Sequence, residues 1–229
     1  LHILGAPCHG MLDRKRILSD LKGREPIKVE ESADRVRIVG RDFEETLERA
    51  SYLQENCAIC IHRNPVIYDD LLGDLVPEQA NVDRYEDVRR VEAMDAEQRW
   101  QFFEDLIAPC LRCYACRNAC PMCVCRDHCL AESRDPHWLS QEDNVRDKWM
   151  FQLIHAYHLA GRCTECGECQ RACPMDIPLR LLYQKVNKIV MDLFDYQTGT
   201  SADQPPFSIL GDRVTLQPKP IQPIIGVQA

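Results

Sequence analysis

"CLRCYACRNACP", from Cys110 to Pro121, and "CTECGECQRACP", from Cys163 to Pro174, repeat one spacing: cysteines at gaps of two, two and three residues, then a proline. No other feature of the chain constrains its fold so strongly. Three thiols at two-residue gaps on a tight loop can face one common centre. A fourth cysteine, after a gap of three residues, starts the next helix and faces away, and the proline turns the chain there. Two such stretches in one chain must fold around their shared chemistry.

The spacing C-x2-C-x2-C-x3-C-P is that of bacterial ferredoxins, in which the fourth cysteine of each run serves the neighbouring iron–sulfur cluster. On that reading Cys110, Cys113, Cys116 and Cys173 hold one [4Fe–4S] cluster. Cys163, Cys166, Cys169 and Cys120 hold the other. A pair of structural zinc sites would have no need of the repeated fourth cysteine and proline. The exchanged ligand keeps the two clusters close, as a short electron relay. Arg112 and Arg117 flank the first loop, whereas Glu165 and Glu168 flank the second. Positive charge stabilises a reduced cluster, so the first is expected to have the higher potential.

Six of the fourteen cysteines remain. Cys8 alone reads as a small buried hydrophobe. Cys57 and Cys60 form "CAIC", and Cys123, Cys125 and Cys129 form "CVCRDHC". Thiols at such gaps commonly share a metal. Cys57 and Cys60 would make half of a third site and two or three of Cys123, Cys125 and Cys129 the rest. A third [4Fe–4S] cluster is favoured over zinc, because it would extend the relay; zinc would staple the N-terminal region to the domain that follows. His128, His155 and His158 read as ordinary structural histidines.

The 229 residues carry a net charge of −8 with both signs interspersed. That argues against nucleic acid as the main partner and suits a subunit that docks other proteins. A secreted disulfide scaffold is disfavoured by chain length and by cysteines clustered at metal-ligand gaps. No apolar run approaches the ~18 residues needed to cross a bilayer, and no signal-peptide pattern is visible. A reducing cytoplasm, in an anaerobe, is the expected setting. Residue 1 is Leu and opens an apolar run, so the expectation is a chain whose beginning lies upstream. Phosphate loops, dinucleotide fingerprints, H-E-x-x-H and nucleophile-triad patterns are not found, and no catalytic residue is assigned.

The expected fold class is α+β. A small mixed α/β region covers 1–95, an α-helical two-cluster ferredoxin domain covers 96–195, and a proline-rich extended arm covers 196–229. "LHILG" reads as a buried strand and "PIKVEESADRVRIVG" as a β-hairpin. In "DFEETLERASYLQEN", Asp42 as N-cap with Glu45, and Phe43, Leu47, Ala50 and Leu53 along one side, predict a helix. Residues 74–94 read as a linker. Asp95 should cap a helix ending at Pro109. Trp149, Leu153 and Tyr157 mark the expected buried side of another helix, closed by Gly161. Leu179, Leu182, Val186, Ile189 and Leu193 mark a last one, started by Asp176 and Pro178.

The block "CLRCYACRNACPMCVC", continued by "AGRCTECGECQRACPMDIPLRLL", resembles the iron–sulfur, two-cluster ferredoxin subunits similar to the β subunit of coenzyme F420-reducing hydrogenases and formate dehydrogenases. It also resembles subunits that accompany heterodisulfide-reductase-like flavoprotein complexes. "GAPCHGMLDRK" and "CAICIHRNPVIYDDLLGD" look like the same group, so the likeness covers roughly residues 1–195. It implies an electron-transfer subunit between a flavin or catalytic partner and another redox centre. The partners implied are flavoprotein, hydrogenase, formate dehydrogenase or heterodisulfide-reductase-like subunits. Two alternatives stay open at this point: a catalytic subunit contributing to a flavin or F420 site, and a free soluble ferredoxin.

Overall fold

A computed structural model describes residues 1–125, 129–132, 138–140, 142–201, 203–204 and 207. The chain divides into two compact units after Arg84. Helix and strand are both present, as expected, but they are segregated: among the described residues every strand precedes Arg84.

The N-terminal unit runs β1 (Leu4–Gly5), α1 (Arg14–Asp20), β2 (Pro26–Glu31), β3 (Arg35–Gly40), β4 (Glu44–Glu48), a 3-10 turn (Arg49–Tyr52), α2 (Glu55–Ala58) and β5 (Asp70–Leu71). The expected hairpin is present as β2 and β3, paired antiparallel with Val29 opposite Ile38. On β3, Val36 and Ile38 are fully buried against Ile17 and Leu21 of α1 and its end. Alternate residues face outward, where Arg37 bridges Glu30 and Glu44 on the two neighbouring strands. Asp13 caps α1 by accepting from the Arg16 N–H at 3.1 Å, satisfying one of the donors a helix start leaves open.

Two expectations fail in this unit. The helix predicted over "DFEETLERASYLQEN" is instead β4 followed by the 3-10 turn. Phe43, Leu47 and Arg49 alternate inward with exposed residues between them, a period of two that the four-residue step from Phe43 to Leu47 fits equally well. The open edge of β3 decides it, since β4 pairs there with Val36 opposite Leu47. "LHILG" supplies only a two-residue strand, parallel to β5, and Leu4 is 57% exposed rather than buried.

The second unit is helical: α3 (Glu86–Glu92), α4 (Ala96–Ile107), α5 (Ala115–Asn118), α6 (Val145–His158), α7 (Glu168–Arg171) and α8 (Arg180–Phe194). Asp95 caps α4 through a full capping box with Gln98, as its sequence suggests. Part of the expected linker is α3, whose Val88 and Val91 bury with Leu181 of α8. The division therefore falls ahead of the expected 95/96 boundary. The core gathers Ile107, Phe151, Ala156, Ile177, Leu179, Leu182 and Val186 around the two cysteine-bearing loops. Each fully buried large apolar side chain stabilises by about 1.5–3 kcal/mol.

On α6 the buried side is Phe151, Gln152, His155 and Ala156, not the expected Trp149–Leu153–Tyr157 stripe. Tyr157 is 59% exposed. Leu179, Leu182 and Val186 are buried as expected, whereas Ile189 is at the surface. The arm over 196–229 lies largely outside the described residues, as does His128. No helix among the described residues is long and apolar enough to cross a membrane.

Candidate metal centres

The two cysteine loops are built alike, residue by residue. In the first, Arg112 and Tyr114 take left-handed conformations, at φ 50° and 61°. In the second, Glu165 and Gly167 do so at φ 58° and 76°. These bends aim backbone N–H groups inward: Arg112 N–H donates to Cys110 Sγ at 3.4 Å, and Glu165 N–H to Cys163 Sγ at 3.4 Å. A single helical turn follows in each, α5 and α7, and delivers the fourth cysteine. The N–H of Cys120 bonds Arg117 O at 3.2 Å, and that of Cys173 bonds Gln170 O at 3.1 Å.

The repeat continues past the proline. Cys123 N–H bonds Cys120 O at 3.2 Å, and Asp176 N–H bonds Cys173 O at 3.2 Å. "CPMC" and "CPMD" thus close with the same hydrogen bond, with Cys123 standing where the second copy has Asp176, although Asp176 is left-handed at φ 52° and Cys123 is not.

Two hollows result. One is walled by Cys110, Cys113, Cys116 and Cys173, together with Phe151 and Gln152. The other is walled by Cys163, Cys166, Cys169 and Cys120, together with Arg180 and Tyr183. Each hollow gathers three cysteines from one loop and the fourth from the other, the sets drawn from the spacing. In each, the middle cysteine of the loop, Cys113 or Cys166, is the exposed corner.

The donor set fits an iron–sulfur cube. Among the described residues no three His, Cys, Asp or Glu side chains converge as one bound ion requires. A cube presents an iron at each corner and asks only that thiolates surround a cavity. Burial pushes the Cys116 thiol up to about 11 and the Cys163 thiol up to about 12, and raises Cys169 as well. At neutral pH such thiols keep their protons unless a metal takes the charge.

Sequence reading missed two residues here. Gln152 is buried, and its amide Nε2 stands 3.6 Å from Cys110 Sγ and 3.9 Å from Cys116 Sγ. A lone glutamine among apolar helix residues gives no signal of this. Tyr183, on the wall of the second hollow, shares a buried hydrogen bond with Nδ1 of His155. Burial pushes His155 down to about 4 and raises Tyr183, so both are neutral.

The remaining cysteines fall into two groups. Cys123, Cys125 and Cys129 surround Arg117, which donates to Cys125 O at 3.1 Å, hydrogen-bonds the Cys129 side chain and pairs with Glu132 at 2.8 Å. Cys57 and Cys60 belong to the N-terminal unit. Cys8 is there too, and it is exposed rather than buried in the core.

Residues 106–177 match the family described as the 4Fe-4S dicluster domain. Over 98 residues the chain is 32% identical to the F420-dependent formate dehydrogenase subunit beta of Methanocaldococcus jannaschii, a match covering 42% of this chain and 25% of that protein. Over 97 residues it is 32% identical to the F420-dependent formate dehydrogenase 1 subunit beta of Methanococcus maripaludis, covering 42% and 24%. The chain thus spans about a quarter of the length of these curated relatives. With the domain match and two equivalent thiol-walled hollows in hand, residues 106–177 are a ferredoxin-type, two-cluster iron–sulfur domain.

Proposed function

We propose that this chain relays electrons within a multisubunit oxidoreductase, as an iron–sulfur subunit rather than the site of substrate chemistry. The observation that carries the reading is the exchange of cysteines between two equivalent hollows. Cys110, Cys113, Cys116 and Cys173 hold one [4Fe–4S] cluster; Cys163, Cys166, Cys169 and Cys120 hold the other. When bound, the clusters supply one-electron chemistry. The residues around them do the rest. Phe151, Ile177 and Leu179 keep water from the first hollow. The inward N–H groups of Arg112 and Glu165 offset thiolate charge. A third metal centre draws on thiols outside the two repeats, with Cys57 and Cys60 of the N-terminal unit as candidates.

The partner is a flavoprotein or dehydrogenase module. The names of the two relatives direct attention to formate oxidation and to a deazaflavin acceptor. Anaerobic iron and sulfide analysis with EPR-monitored redox titration tests the relay. About eight irons in the domain and two mutually broadened signals are expected. Fewer than about eight irons, or two signals without magnetic interaction, would remove it. Co-purification of the native complex, followed by a formate-driven reduction assay of these signals, tests the partner.

A further inference from the structure

The wall of each hollow includes one arginine, brought there by a different route. In the first it is Arg112, from the loop itself. The second loop has Glu165 at that position, in the same left-handed bend, and its arginine is Arg180, the first residue of α8. Arg180 is only 8% exposed. A buried cation at the N-terminal end of a helix is doubly costly: it loses hydration, and the helix dipole opposes it. The first turn of α8 carries no acidic residue to relieve that cost. A cluster held by four thiolates, negative in every redox state, relieves it from the other side of the wall.

The guanidinium is fixed in place. Its Nη1 donates to Gln184 Oε1 at 2.7 Å, and its Nη2 lies 3.5 Å from Asp87 Oδ2 on α3. Gln184 is itself buried, and its Nε2 donates onward to Glu165 Oε2 at 3.4 Å. Asn187 Nδ2 reaches the other Glu165 oxygen at 3.0 Å and Cys163 O at 2.9 Å. Arg180, Gln184 and Asn187 follow one another at steps of four and three residues, so they share one face of α8. That face grips the second loop and pins its acidic side chain through neutral amides. Asp87 is partly exposed and also pairs with Arg90 at 3.2 Å. It therefore offsets only part of the charge on Arg180.

We propose that Arg180 supplies the second cluster with the positive charge that the first takes from its own loop, and so sets the second cluster's reduction potential. The inference rests on the reading of the chain as a two-cluster relay. Reduction adds one electron to a site that its thiolates already make negative. A guanidinium at the wall favours that electron, and burial lets it act through a medium that screens less than water. Glu165 and Glu168 pull the other way, although Glu168 is paired with Arg171. Arg180 thereby narrows the difference in potential that the loop charges alone would give. A narrow difference lets an electron cross between the clusters without a steep uphill step.

The test is an EPR-monitored redox titration of the full chain, reconstituted anaerobically with iron and sulfide and reduced stepwise with dithionite. The signal that Cys120→Ser perturbs identifies the second cluster. At a fixed potential, Arg180→Gln should shift that cluster about tenfold towards its oxidised form, or about 59 mV for one electron. The first cluster's midpoint should not move. The shift should persist at about 1 M salt, where the effect of a surface charge is screened away. Arg180→Lys should keep most of the parent value, and Asp87→Asn should raise the second midpoint. The proposal is overturned by a second midpoint that Arg180→Gln leaves unmoved, by an equal fall in Arg180→Gln and Arg180→Lys, or by a shift that salt removes. If Arg180→Gln fails to assemble the second cluster, Asp87→Asn decides, and a second midpoint that does not rise overturns the proposal. A parent chain with fewer than about eight irons, or without two interacting signals, would strike the relay reading instead.

Discussion

Gln152 turns its side-chain amide onto the sulfurs of the first hollow, with Nε2 3.6 Å from Cys110 Sγ. The wall of the second hollow carries Arg180 and Tyr183. An N–H donated to cluster sulfur favours the reduced state. Gln152→Leu should therefore lower the potential of the cluster held by Cys110, Cys113 and Cys116 and leave the other unmoved. A hydrogen bond worth about 1 kcal/mol corresponds to roughly 40 mV for one electron. An EPR redox titration that finds both potentials unchanged would contradict this.

The exchanged cysteines predict a crossed phenotype. Cys173→Ser, made in the second repeat, should perturb the signal of the first cluster; Cys120→Ser, made in the first repeat, should perturb that of the second. Each variant should lose up to about four irons. If each substitution instead disturbed the cluster of its own loop, the ligand sets would have to be redrawn.

Reconstitution should depend steeply on pH. Cys116 and Cys163 are pushed up to about 11 and about 12 by burial, so the metal-free hollow holds protons that iron must displace. Metal binding then releases protons and strengthens as pH rises. Iron uptake at limiting iron should increase from pH 6 to pH 8 and reverse on acidification. A flat profile by iron analysis would mean that the thiols are already ionised.

Tyr183 and His155 stabilise each other at the heart of the helical unit. Tyr183→Phe leaves His155 without its Nδ1 partner, and burial of an unsatisfied polar group costs about 1–3 kcal/mol. Thermal unfolding under anaerobic conditions should show that loss with iron content unchanged. An unaltered melting temperature would remove the pair from the fold's supports.

Asp95→Ala should cost about 1 kcal/mol, because it removes the carboxylate that accepts the Gln98 N–H in the capping box. Asp95→Ser should restore most of it. Chemical denaturation of the three chains, compared side by side, reads the difference.

The parts legible in sequence are those where local chemistry leaves one solution. The spacing of eight cysteines anticipates two four-thiol hollows because a tight loop can aim three sulfurs only one way. The Asp95–Gln98 cap and the β2–β3 hairpin are likewise local. The illegible parts were settled at a distance. Residues 44–48 became a strand because β3 had a free edge. The buried side of α6 was chosen by what the hollow demands, which placed Gln152 and His155 inside and left Tyr157 in solvent. Residues 86–92 became helix once Val88 and Val91 had Leu181 to cover. The surroundings of Cys8 were likewise out of reach, because its backbone partner Arg63 arrives from far along the chain.

Arg112 and Glu165 hold the same left-handed bend in the two loops, where glycine would rest without strain. A side chain there costs on the order of 1 kcal/mol. Anyone engineering a sturdier version would reach first for glycine at both places, and the fold would gain. The two loops would then also lose their opposite charges, on which the expected difference in potential between the clusters rests. On that expectation, thermal robustness and unequal potentials compete for the same two residues.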